Sequence, residues 1–152
     1  MASTLRIEPA READLPALCG LLELLFTQEA EFRPDRTAQA RGLRRILERP
    51  EAGCILVARQ DGVVAGMCNL LYTESTALGA RVALLEDVVV APHARGGGVG
   101  TRLLQGAIDT ARAEDCRRIT LLADRHNEGA HRFYQRHGFA PSDMVPMRLL
   151  LD

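Results

Sequence analysis

Apolar positions along the chain follow two rhythms, and each predicts a kind of element. Leu5-Arg6-Ile7 alternates and predicts a short strand. Leu15, Leu18, Cys19, Leu22, Leu25 and Phe26 fall on one face at helical spacing, with Asp14 placed as cap or first-turn acid. Thr27 to Asp35 has no period and contains Pro34, which predicts a loop or a broken helix. Leu43, Ile46 and Leu47 mark a second helix, ringed by Arg36, Arg41, Arg44 and Arg45 and ending at Arg49-Pro50. Two strands follow, Cys54 to Ala58 and Val63 to Tyr72, joined by the hairpin signal Gln60-Asp61-Gly62. After a turn near Leu78-Gly79, Arg81 to Val90 is apolar except for Glu86 and Asp87. Such a run predicts a central strand covered on both faces.

Beyond Pro92 the chain turns glycine-rich, then enters a helix with Leu103, Leu104, Ala107, Ile108 and Ala111 inward. A strand from Ile119 to Ala123 precedes a helix that starts near Asn127, carries Ala130, Phe133, Tyr134 and His137, and stops at Gly138. Met144 to Leu151 reads as a final strand, with Pro146 placing it at an edge or a bulge. The pattern gives an α/β (α+β) domain over residues 1–152, a mixed sheet with helices on its faces.

Composition narrows the function classes. The chain has 152 residues, 47% hydrophobic and 26% charged, with 19 basic and 20 acidic side chains. A formal charge of -1 lacks the footprint of a nucleic-acid binder. No apolar run approaches the roughly 20 residues that span a bilayer, and the first residues carry no signal-peptide pattern. Cys19, Cys54, Cys68 and Cys116 form no C-x-x-C pair, and His93, His126, His131 and His137 do not stand at metal-ligand spacing from them. The expectation is a cytoplasmic protein with reduced thiols and no metal.

Arg95-Gly96-Gly97-Gly98-Val99-Gly100-Thr101 is the most informative stretch. Glycine disfavours helix by about 1 kcal/mol against alanine, yet these glycines lead from a core strand straight into an amphipathic helix. Close backbone approach and positive φ are what they supply. Amides gathered at a helix N-terminus make an anion site suited to phosphate. The dinucleotide and Walker spacings both fail here; the spacing that fits is Arg-x-x-Gly-x-Gly, met by Arg95, Gly98 and Gly100.

Glu86 through Leu104 resembles the acetyl-CoA signature of the GCN5-related N-acetyltransferase (GNAT) superfamily. Asn127-Glu128-Gly129-Ala130 with Phe133-Tyr134 and Gly138-Phe139 resembles its second motif. The resemblance implies six to seven strands flanked by four helices, with the sheet splayed between its fourth and fifth strands. It implies acetyl-CoA as cosubstrate, the pyrophosphate on amides of residues 96–101 and the pantetheine arm beside Val88, Val89 and Val90. Arg95 and Asn127 join the cofactor-binding set, and Tyr134 matches the family's general acid.

The implied activity is acetyl transfer to a small-molecule primary amine by direct attack through a tetrahedral intermediate. A protein or peptide acceptor, or a CoA-binding module without turnover, is the alternative. An amine of pKa about 10 is almost wholly protonated at neutral pH, so reaching its free base costs about 4 kcal/mol. Glu86 is the first candidate base and Asp87 the second, and strict alternation places them on opposite faces unless a bulge intervenes. Backbone amides around Val88 to Val90 are suited to the oxyanion. Gln28, Glu29, Glu31 and Asp35, with Phe32, lie in the loop from which the family builds its acceptor site, and Glu74 is a further carboxylate for it. Glu29, Glu31, Phe32 and Glu86 are the acceptor-binding candidates. A homodimer is compatible with the family, and an exposed final strand could support it.

Overall fold

The structure is a computed structural model that describes residues 3–29 and 33–151. The chain divides into two compact units, Met1–Leu122 and Ala123–Asp152.

The first unit is built on a five-stranded sheet in the order β1-β2-β3-β4-β5. The strands are β1 (Leu5–Pro9), β2 (Gly53–Gln60), β3 (Val63–Ser75), β4 (Ala80–Val90) and β5 (Ile119–Leu121). The first three pairings are antiparallel and β4 with β5 is parallel. Asp61 and Gly62 both take positive φ, 51° and 85°, so the Asp-Gly signal closes the tight β2–β3 hairpin. Gly53 has no room for a side chain: a Cβ there would lie 2.7 Å from the Leu70 carbonyl oxygen.

Two helices, α1 (Leu15–Gln28) and α2 (Arg36–Leu47), cover one face of the sheet. Leu18, Leu22 and Leu43 pack there with Ile55, Val57, Met67 and Val89. Asp35 caps α2, its carboxylate accepting from the Ala38 amide at 3.1 Å. The opposite face carries α3 (Val99–Ala113), whose inward side chains Val99, Leu103, Leu104, Ala107 and Ala111 are buried. Gly106 lets α3 cross β1 closely, since a Cβ would meet the Ile7 side chain at 2.5 Å.

Asp14 does not cap α1 through its side chain. Arg59 on β2 claims that carboxylate with two contacts of 3.0 Å and reaches Glu8 at 2.6 Å. The Asp14 carboxylate also accepts from the Arg11 amide at 2.8 Å. Sequence spacing saw the acid beside the helix but not its partner 45 residues on.

The second unit contains α4 (Glu128–Arg136). Asn127 caps it by accepting from the Ala130 amide at 3.0 Å, and Gly138 ends it at φ 96°. The expected final strand is absent. Met144 to Leu151 has no regular secondary structure, and its apolar side chains are 71–95% exposed. The count of six to seven strands is therefore corrected to five among the described residues, with four α-helices. An apolar run becomes a strand only when a neighbouring edge takes its amides and carbonyls, and Pro146 removes one donor from this one. No described helix is long and apolar enough to cross a membrane.

Candidate active site

Two features of β4 shape the site. First, its pairing with β5 stops at Leu85 opposite Leu121, so Glu86 to Val90 has no partner on that side among the described residues. Second, the register with β3 slips. Val89 faces Met67 and Glu86 faces Asn69, which leaves Asp87 and Val88 together opposite Cys68. This is a β-bulge, and Asp87 takes the left-handed conformation at φ 56°. Aspartate is among the few non-glycine residues that tolerate it.

The bulge decides where the carboxylates go. Asn69 lies opposite Ile55, and Ile55 belongs to the core under α1 and α2, so Asn69 and its partner Glu86 share that face. Asp87 would alternate to the other face in a regular strand. Instead, the Asn69 carboxamide donates to its carboxylate at 2.7 Å. Both acids therefore serve the face covered by α1. Burial drives the Asp87 pKa up to about 6, helped by the negative charges of Glu86 and of Glu29 at the end of α1, with the Asn69 bond opposing. Glu29 is thus brought to this group. Glu31 and Phe32 lie outside the described residues. Asp35 is engaged as the α2 cap, and Glu74, opposite Arg81, stands five strand positions from Asn69.

Past β4 the chain makes one short turn, Pro92–Ala94, before the glycines. Gly96 and Gly98 both sit at φ 83° with open space where a Cβ would be, so backbone conformation, not crowding, calls for glycine. Gly98 is the α3 N-cap, and its carbonyl accepts the Arg102 amide at 3.0 Å. Among the described residues, no amide from 96 to 101 donates to a protein acceptor. Those donors stand at the positive end of a fifteen-residue helix, which suits an anion such as pyrophosphate. The Val99 side chain is core, leaving its amide for this role. Arg95 is not simply solvated: its Nε donates to the Val90 carbonyl at 3.1 Å and braces the loop on the end of β4.

In the second unit Tyr134 lies in a small aromatic cluster, 5.3 Å from Phe133 and 5.8 Å from Phe139 between ring centres. His131 and His137 bond the carbonyls of Asp124 and Phe133, each at 2.9 Å. All four cysteines are free, and burial pushes the Cys68 thiol up to about 12. No group of three or more potential metal ligands occurs among the described residues.

The residue missed by sequence reasoning is Asn69. Its signal was there: a lone amide inside the apolar run Met67-Cys68-Asn69-Leu70-Leu71, as anomalous in β3 as Glu86-Asp87 is in β4.

A loop of unbonded amides at a helix N-terminus, beside a strand with one unpaired edge, agrees with comparison to known proteins. Residues 17–139 match the acetyltransferase (GNAT) family. The chain belongs to that family. It is 33% identical over 138 residues to an uncharacterised N-acetyltransferase of Bacillus subtilis, YhfO, covering 89% of each chain. It is 29% identical over 150 residues to thialysine N-epsilon-acetyltransferase of Mus musculus, covering 89% of this chain and 83% of the relative. The aminoglycoside N-acetyltransferase AAC(6′)-Iy, solved with CoA, shares the fold, with a TM-score of 0.82 at 20% identity over 99% of this chain and 97% of that one. The GNAT protein described here is accordingly an acetyltransferase enzyme.

Proposed function

We propose that the enzyme transfers the acetyl group of acetyl-CoA to the primary amine of a small cationic molecule, such as a polyamine, an aminoalkyl compound or an amino-acid-like amine. The observation that carries this reading is the β4 bulge, which gathers Asp87 and Glu86 on the face that Glu29 also reaches. Carboxylates gathered at the transfer site favour a positively charged acceptor. The mouse relative, named for the ε-nitrogen of thialysine, is in keeping with that class.

Acetyl-CoA supplies an activated thioester. The amides of Gly96, Gly97, Gly98, Val99, Gly100 and Thr101 hold its pyrophosphate, with the Arg95 guanidinium at the loop's edge. Val88, Val89 and Val90 present their unpaired edge to the pantetheine arm, and amides there donate to the carbonyl oxygen as negative charge develops. Asn127 contacts the same arm. Glu29, Glu31, Phe32 and Glu86 receive the acceptor, and Asp87 or Glu86 takes the ammonium proton as the nitrogen attacks. Asp87 is the better suited base, because a group near pKa 6 is ionised at neutral pH and still accepts a proton readily. The freed lone pair forms the N–C bond, the C–S bond breaks as Tyr134 protonates the departing thiolate, and the second nitrogen proton leaves through solvent, which also restores the Tyr134 phenol.

The test is release of CoA thiol with a panel of amines between pH 5 and 9. Turnover of a small cationic amine is expected, with kcat/KM rising through pH of about 6 as Asp87 ionises. Acetylation of lysine-containing peptides alone would overturn the small-molecule reading, and no thiol release with any acceptor would overturn the activity.

A further inference from the structure

We propose that Asn69 is a positioning residue for this reaction, its carboxamide holding the Asp87 carboxylate at the bulge, ionised and beside Glu86. The inference rests on Asp87 acting as the base.

Asn69 is 2% exposed, between Cys68 and Leu70, which are equally buried. Its Nδ2 donates to Asp87 Oδ2 at 2.7 Å, a length typical of a bond to a charged acceptor. Its Oδ1 is buried and has no hydrogen-bond partner. That arrangement is costly, and nothing in the sheet requires it, because the backbone of β3 already pairs on both sides. An apolar side chain would serve the core better. What an apolar side chain could not do is donate a hydrogen bond to the bulge.

The amide's orientation follows from the chemistry: an ionised carboxylate only accepts, so the NH2 group must face it. The groups facing Asp87 then divide by sign. Glu86 on its own strand and Glu29 at the end of α1 both oppose its ionisation, as does burial. The Asn69 N–H across on β3 favours it. Without that donor the carboxylate would keep its proton to higher pH and lose the contact that fixes its direction.

Asn69→Leu, of similar size and without polar atoms, tests this, with Asn69→Ala as the smaller variant, also without a donor, should the leucine not be accommodated. Thermal melts establish folding. The Asp87 carboxyl is titrated by carbon-13 NMR in each protein, beside the pH profile of kcat/KM for CoA release. The NMR midpoint and the activity limb are both expected to rise by about one pH unit. In the unaltered enzyme, the Asn69 side-chain amide signals should titrate with the Asp87 midpoint, a reading that needs no variant. An unmoved midpoint, or amide signals indifferent to it, would overturn the proposal. A midpoint that moves while the activity limb stays would instead remove Asp87 from the role of base and leave the contact standing.

Discussion

A φ of 56° at Asp87 places its carboxylate among acids, although β4 would otherwise alternate it away. The conformation and the crowding of charge both work against stability, and the same features make the group basic near neutral pH. Asp87→Asn keeps the shape, tolerates positive φ and removes the charge. Its kcat is expected to fall at least about 100-fold, with the acid limb lost. Because the folded-state pKa of Asp87 lies above the unfolded value, its contribution to stability is present at low pH and is lost as pH rises through about 6. The melting temperature of Asp87→Asn should therefore exceed that of the parent by a few degrees at pH 7.5 and by less at pH 5. A lower melting temperature at pH 7.5 would show that the carboxylate is not under strain there. Tyr134→Phe removes only a phenolic oxygen from an aromatic cluster. Turnover should drop while the Kd for acetyl-CoA is unchanged, and equal turnover would remove Tyr134 from the acid role.

Between elements, an ionic tie joins β1, the turn before α1, and β2, where Arg59 meets Asp14 and Glu8. The side chains of Arg59 and Asp14 are 11% and 8% exposed. Asp14→Asn leaves the guanidinium with one fewer charged partner and should cost about 2 kcal/mol in chemical denaturation. Arg59 holds the Asp14 carboxyl below its usual range. The stabilisation is therefore complete above pH of about 4 and fades as pH falls through the lowered value. An acid-denaturation midpoint that is the same in parent and variant would contradict this.

The tie also marks what sequence could and could not supply. Asp61-Gly62 and the glycines before α3 were legible because their demand is local, a positive φ next to an apolar period. The bulge could be named only as an exception to alternation and not placed, because a strand's register depends on two strands at once. Asn69 and Arg59 take their roles from partners 18 and 45 residues away, a distance no periodicity reaches.

At the scale of the whole molecule, the tail shows the same limit from the other side. Met144 to Leu151 has the composition of a strand, yet in this chain its apolar side chains stay exposed. Leu149→Ser and Leu150→Ser should accordingly shift the melting temperature by less than about 1 °C, since surface changes away from packed features are nearly neutral. A drop of several degrees would show the tail packed in solution.

The glycine loop has the widest reach, because donor binding and family membership meet in it. Nitrogen-15 NMR of the enzyme titrated with CoA addresses it most directly. Large, saturable shifts of the amides of Gly96 to Thr101, weakened or lost in Gly98→Ala, are the expected result. Loop amides left in place while CoA binds elsewhere, or CoA that does not bind, would contradict the account at its base.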